Sequence, residues 1–184
     1  MMIRRNRFNI YLAICLAGCL IAGCATSEEK KHEKQMGRIQ LYAESNPDPM
    51  GRTKEVQVYR ERPVTFTVAR DPFLSEASVK HAEIVDAVGG FALRIEFDKQ
   101  GTWLFEEYTA ASRGKHIVVF TQWEDQPGSK VSTGRWLAAP SIQKHVADGI
   151  FIFTPDASRE EVEKIVLGLN NVARERGTDT ETKW

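Results

Sequence analysis

Residues 80–119 read KHAEIVDAVGGFALRIEFDKQGTWLFEEYTAASRGKHIVV, and the fold follows from how this stretch is parsed. Leu93, Ile95 and Phe97 alternate with Arg94 and Glu96, the period-2 pattern of a strand with one buried face. Val88-Gly89-Gly90 is turn chemistry, so a strand around Lys80–Asp86 is expected to fold back on Phe91–Phe97 as a hairpin. From about Lys99 to Ser112 the period becomes helical. Leu104, Tyr108 and Ala111 share one face, Trp103 and Phe105 flank it, and Glu106, Glu107 and Arg113 are left for water. Asp98 stands at the helix entry, where the positive end of the dipole favours a carboxylate, and Gly114 supplies the stop. A strand from His116 to Trp123 follows.

The same patterns continue outward. Upstream, Ile39, Leu41 and Ala43 alternate with Arg38, Gln40 and Tyr42, and Val56 and Val58 with Glu55 and Gln57. Val64, Phe66 and Val68 alternate in turn with Thr65 and Thr67. Asn46-Pro47-Asp48-Pro49-Met50-Gly51 supplies a turn. Downstream come a turn at Asp125-Gln126-Pro127-Gly128 and strands over Val131–Ala138 and Gly149–Thr154. In the last of these Phe151 and Phe153 alternate with Ile150 and Ile152, apolar on both faces, which predicts a central, buried strand. A second helix begins after Pro155. Ser158 and Glu161 have capping-box spacing, and Val162, Ile165, Val166, Leu169 and Val172 recur at helical intervals. These elements predict an α+β domain, an antiparallel or mixed sheet carrying both helices on one face. No internal repeat is visible.

The N-terminus carries an address. Arg4, Arg5 and Arg7 precede an apolar run from Phe8 to Gly23, the pattern of a secretory signal and short for a membrane span. Leu20-Ile21-Ala22-Gly23-Cys24 resembles the lipobox of bacterial lipoproteins, in which the cysteine becomes the lipidated N-terminus. Leu16-Ala17-Gly18-Cys19 matches the same pattern, but Cys24 is the better candidate because the chain turns polar immediately after it. Residues 1–23 are thus read as signal peptide. Cys24 and the charged residues up to Gly37 form a tether of about 20 Å end-to-end distance. Residues 38–63 are extra N-terminal strands, and Arg174–Trp184 is a polar, flexible tail.

Processing changes the electrostatics. The 184-residue chain balances 25 Lys and Arg against 25 Asp and Glu; without the three signal arginines, 22 basic residues face the same 25 acids. A net charge near −3 gives no argument for a nucleic-acid partner. All three cysteines, Cys15, Cys19 and Cys24, lie in the leader, so the remainder has no disulfide, cysteine nucleophile or cysteine-based metal site. Two or three acyl chains such as palmitate would anchor the protein firmly. Ala25 stands where some bacteria place Asp to retain lipoproteins in the inner membrane, which tilts the expectation toward the outer one.

The order of landmarks over Val64–Ala173, about 110 residues, resembles the periplasmic head subdomain of SecD, a subunit of the bacterial protein-export machinery. Gly101, Phe105 and Thr109 mark the first helix, and Gly114-Lys115-His116-Ile117-Val118-Val119 leads into a strand. Ala139-Pro140-Ser141-Ile142 follows, then Gly149, and then Phe153-Thr154-Pro155-Asp156 ahead of Ser158-Arg159-Glu160-Glu161. Two features depart from that family: no second apolar run reaches spanning length, and a glycine usual after the last strand is missing around Pro155. The resemblance implies a ferredoxin-like fold and non-catalytic contact with polypeptide, not the export motor.

Catalytic signals are weak. His32, His81, His116 and His145 lack metal-ligand spacing, and Glu106 and Glu107 point about 100° apart on a helix. No nucleophile elbow or phosphate loop is present. The expectation is a protein without catalytic residues, metal or cofactor. Trp123, Arg135 and Trp136, on the two arms of a predicted hairpin, are either a cross-strand packing pair or an interaction surface. The sequence therefore predicts an envelope lipoprotein, facing the periplasm or exterior, that binds other envelope proteins or translocating polypeptide. The alternative is a small-molecule or glycan-binding module on the Trp123–Trp136 face. Cys24→Ser is expected to abolish incorporation of a radiolabelled fatty acid; undiminished labelling would move the lipid to another residue.

Overall fold

The computed structural model describes residues 35–125 and 131–181; the leader, Cys24 and most of the predicted tether lie outside the described residues. The strands are β1 (Gly37–Ala43), β2 (Thr53–Val58), β3 (Val64–Ala69), β4 (Leu74–Ser75), β5 (Val79–Ala87), β6 (Gly90–Phe97), β7 (Ile117–Glu124), β8 (Ser132–Ala138) and β9 (Ile150–Phe153). The helices are α1 (Lys99–Ala111) and α2 (Arg159–Glu181), and a 3₁₀ turn covers Glu76–Ser78. The α+β class holds. The single sheet does not: the strands form a four-stranded sheet in the order β4-β1-β7-β8, a two-stranded hairpin β2-β3, and a three-stranded sheet β5-β6-β9.

Alternation along β1 and β7 explains the layering. Ile39, Leu41, Ile117, Val119 and Trp123 point into the main core, which also holds Leu93, Ile95 and Phe97 of β6, Phe105 of α1 and Val162, Ile165 and Leu169 of α2. Tyr42 and Val118, from the opposite face of the same strands, pack with Val56, Val58 and Val68 of the hairpin in a second core. The division drawn at Val64 therefore falls inside one hairpin, and β1 is an interior strand paired with β7 from Gly37↔Trp123 to Ala43↔Ile117. What looked like extra N-terminal strands completes both cores.

Both helix starts form as their sequences predict. Asp98 caps α1, its Oδ1 accepting from the Gly101 N–H at 2.7 Å. In α2 the Ser158 N–H donates to Glu161 Oε2 at 2.7 Å while Ser158 Oγ accepts from the Glu161 N–H at 3.2 Å, a reciprocal capping box. The buried stripe of α1, however, is Gly101, Phe105 and Thr109. Leu104 and Tyr108 pack at its margin, Ala111 is exposed, and Trp103 is 61% exposed. The helix is rotated from the expected face because Gly101 must fit beneath Ser78 and Phe97, where a Cβ would meet the Ser78 Cβ at 2.7 Å. Past Ala173, where polar composition suggested a tail, the structure continues α2 to Glu181.

Two polar contacts tie the hairpin β2-β3 to the rest. The Ser45 N–H donates to the Thr67 carbonyl of β3 at 2.9 Å; beside it Glu44, joining the end of β1 to the start of β7, accepts through Oε2 from the His116 backbone N–H at 2.7 Å and lies 2.9 Å from its Nδ1. Beyond β2, the Arg60 N–H donates to Asp156 Oδ2 at 2.6 Å and its guanidinium reaches Glu161 at 3.4 Å. Partial burial pushes the Glu161 carboxyl up, but the Ser158 hydrogen bonds and the Arg135 and Arg60 charges outweigh it and hold the carboxyl below its ordinary range. Glu44 is likewise raised by burial and lowered further by its bonds to His116 and the charges of His116 and Lys115.

Helix α2 lies on β1 at a glycine–glycine crossing: a Cβ on Gly168 would meet the Gly37 nitrogen at 2.5 Å, whereas nothing lies within 4 Å of a Cβ on Gly177. Gly168→Ala is therefore expected to lower unfolding stability by about 1–3 kcal/mol through overpacking. Gly177→Ala should raise it by up to about 1 kcal/mol through helix propensity. Urea denaturation separates the two; an unchanged midpoint for Gly168→Ala would show that the crossing relaxes. Glu44 and Glu161, with depressed folded pKa values, contribute stability that is present above the unfolded carboxyl value of about 4.3 and lost as pH falls through the lower folded values. The double variant Glu44→Gln/Glu161→Gln should show a flatter loss of urea midpoint from about pH 6 to about pH 3.

Candidate functional site

Of the three residues that the sequence grouped, the structure keeps Arg135 with Trp123 and places Trp136 on the other face. Register pairs Phe120 with Trp136, Thr121 with Arg135 and Trp123 with Thr133, with an irregularity between Val119 and Phe120. Trp123 is 1% exposed and belongs to the main core. Arg135 lies above it, the guanidinium 5.7 Å from the ring, and donates to the Asp156 carbonyl at 2.6 Å. Trp136 emerges on the opposite face, 5.0 Å from Tyr42 and 5.1 Å from Phe120, with Lys54 Nζ 5.5 Å above its ring. Trp123 and Trp136 thus pack in different cores and form no common binding face.

A different place has the shape of a binding site. The segment 139–149 crosses from β8 to β9 over the end of α1. It is pinned at its start, where the Ile117 N–H donates to the Pro140 carbonyl (3.0 Å), the Ile142 N–H to the Lys115 carbonyl (2.8 Å) and the Gly114 N–H to the Ile142 carbonyl (2.9 Å). Midway, Thr109 Oγ1 accepts from the Val146 N–H at 3.1 Å, and His145 Nε2 lies 3.1 Å from Glu106 Oε1. At its end Gly149 adopts φ +68° directly against Thr102, with which any Cβ at this position would collide. Between this segment, α1 and β9 an open groove of about 790 Å³ remains.

The groove floor is apolar. Phe105, Phe151 and Ile142 are buried beneath it, the two rings 5.2 Å apart, and the apolar groups left accessible are those of Val146, Ala147, Ile150 and Ile152. Lys144, His145 and Asp148 mark the rim, so the charges there are mixed in sign. Such a surface suits binding of apolar matter better than proton transfer. Among the described residues no group of three His, Cys, Asp or Glu could hold a metal ion, and no helix is long and apolar enough to cross a membrane.

Sequence reasoning missed this groove because it read β9 as central. The strand pairs with β6 alone and is an edge, with Ile152 53% exposed. The usable signal was its brevity, four residues closed by Pro155. The landmarks at Ala139–Ile142, Gly149, Phe105 and Thr109 do converge, since they pin or floor the groove.

Comparison with known proteins agrees with the landmark order. The family described as SecDF, P1 head subdomain, matches residues 53–173, more than half of the chain. A search of curated proteins finds no match. Among solved structures, SecDF, a membrane component described as enhancing protein export, is 19% identical with a TM-score of 0.51, over 82% of this chain and 71% of that one. SecDF in its super-membrane-facing form is also 19% identical, with a TM-score of 0.52, over 78% of this chain but 20% of that one. The present chain thus spans about a fifth of that second protein, and at such identity the structural likeness speaks to fold. With the family match extending from β2 into α2, the chain belongs to the SecDF P1 head subdomain family.

Proposed function

We propose that this protein is an envelope lipoprotein, anchored through Cys24, whose head domain holds polypeptide without chemically altering it, in association with protein translocation. The observation that carries the reading is the open groove between the 139–149 segment and β9: its accessible apolar groups are those of Val146, Ala147, Ile150 and Ile152, backed by the buried Phe105–Phe151 pair. Family membership supports the association with translocation, since the related SecDF is described as enhancing protein export. The signal-like leader and the lipobox-like residues before Cys24 support a lipid anchor in place of the relatives' membrane part, facing the periplasm or exterior. Other envelope proteins are the natural second class of partner.

Site-specific photo-crosslinking tests the reading in cells. A crosslinking residue in place of Ala147, exposed on the groove wall, is expected to trap newly exported polypeptides after pulse labelling, with a yield that decays on chase. The same residue at Val88, exposed in the β5–β6 turn, should trap several-fold less. No crosslink at Ala147, or equal yields at both positions, would overturn the proposal.

A further inference from the structure

The structure manages its strand edges unequally. On the outer side of β5, Asn170 of α2 occupies the backbone of Ala82 with both ends of its amide, accepting from the N–H at 2.8 Å and donating to the carbonyl at 2.9 Å. Along β8 the Asp156 N–H takes the Leu137 carbonyl at 2.8 Å, and the Ala139 N–H finds the Tyr59 hydroxyl at 3.3 Å. Strand β4 is only two residues long, too short to recruit a neighbour.

Strand β9 has no such cover. Its pairing with β6 runs from Glu96↔Ile150 to Leu93↔Phe153, and the Phe97 N–H donates to the Gly149 carbonyl at 3.0 Å. In an antiparallel ladder, bonded and non-bonded pairs alternate. Gly149, Phe151 and Phe153 therefore address β6, while the backbone groups of Ile150 and Ile152 face away from it. The Ile150 N–H is taken locally by Asp148 Oδ1 at 3.0 Å, whereas the Ile152 N–H and carbonyl have no hydrogen bond among the described residues. This bare edge borders the apolar groove, to which Ile150, Phe151 and Ile152 all contribute.

Resting on the reading of the groove as a polypeptide site, we infer that its occupant is an extended segment of unfolded polypeptide that adds as a strand to the free edge of β9. The exposed backbone selects for extended chain because only another strand supplies a donor and an acceptor at matching intervals. The accessible apolar groups of Val146, Ala147, Ile150 and Ile152 select for alternate apolar side chains, and the opposite charges of Lys144 and Asp148 favour neither acidic nor basic sequences. Four residues of β9 span about 14 Å, which limits recognition to a short stretch and suits transient holding.

Isothermal titration of the full chain with one peptide series tests this mode. The probe is a blocked heptapeptide of alternating valine and threonine with a lysine at each end, used with two analogues N-methylated at one or the other set of alternate amides. N-methylation of one set is expected to weaken binding about ten-fold or more and of the other set less than about two-fold, since only one set faces β9. Ile152→Pro removes the outward N–H while leaving the bonds to β6 in place, and should weaken the parent peptide comparably. Equal effects of the two methylation patterns, or no binding of the parent peptide at millimolar concentration, would overturn strand addition. If Ala147 still crosslinks exported chains in that case, the polypeptide site stands with another binding mode; if it does not, both readings fail.

Discussion

Helix α2 meets β1 backbone to backbone at Gly168 and Gly37, and the rest of the arrangement depends on that close approach. The same helix rests on β1 and β7 of one sheet and on β5 of another, so its depth sets the distance between the two sheets. Asn170 and Asn171, within a turn of Gly168, exploit that depth. Asn170 reaches Ala82 on β5, and Asn171 Nδ2 donates to the Gln35 carbonyl at 2.9 Å just before β1. With side chains at the crossing, the helix would stand off the sheet and these short amide contacts would be out of reach.

Phe105 connects this frame to the groove. It is packed against Phe97 of β6 and Phe151 of β9, each at 5.2 Å, so one buried aromatic cluster joins α1 to the three-stranded sheet beneath the groove. The crossover 139–149 is then laid over that pair by backbone bonds to the α1–β7 joint and by the packing of Ile142 and Val146. The wall of the groove is thus held by backbone hydrogen bonds and core packing. That arrangement tolerates sequence change along the wall, in keeping with a fold shared at 19% identity with SecDF structures.

The hairpin β2-β3 covers the other side of the four-stranded sheet, and its attachment is partly electrostatic. Arg60 and Arg135 converge on Asp156 and Glu161 at the start of α2, with Glu161 already serving the helix cap. Tyr59 adopts a positive φ of 73° at the hairpin end, and its hydroxyl accepts from the Ala139 N–H where the crossover begins. Hairpin, cap and crossover therefore share one corner of the molecule.

Local chemistry was legible from the sequence because it depends on near neighbours. The β5–β6 hairpin at Val88–Gly89, the Asp98 cap, the Ser158–Glu161 box and the alternation of β1 and β7 are all set by residues within a few positions of each other. The landmark order also identified the family, since order and spacing survive where individual residues change. Periodicity could not say which apolar face meets which partner. Nothing local distinguishes Trp123 in the core from Trp136 on the opposite face, or an edge strand from a central one when both sides are apolar. The rotation of α1 was decided by the steric fit of Gly101 beneath Ser78, and the division into two cores by long-range pairing of β1 with β7. The sequence by itself determined the elements, their caps and the family. Only the tertiary structure decided their sheets, their free edge and the groove, because burial is a property of what packs on a face and not of the face alone.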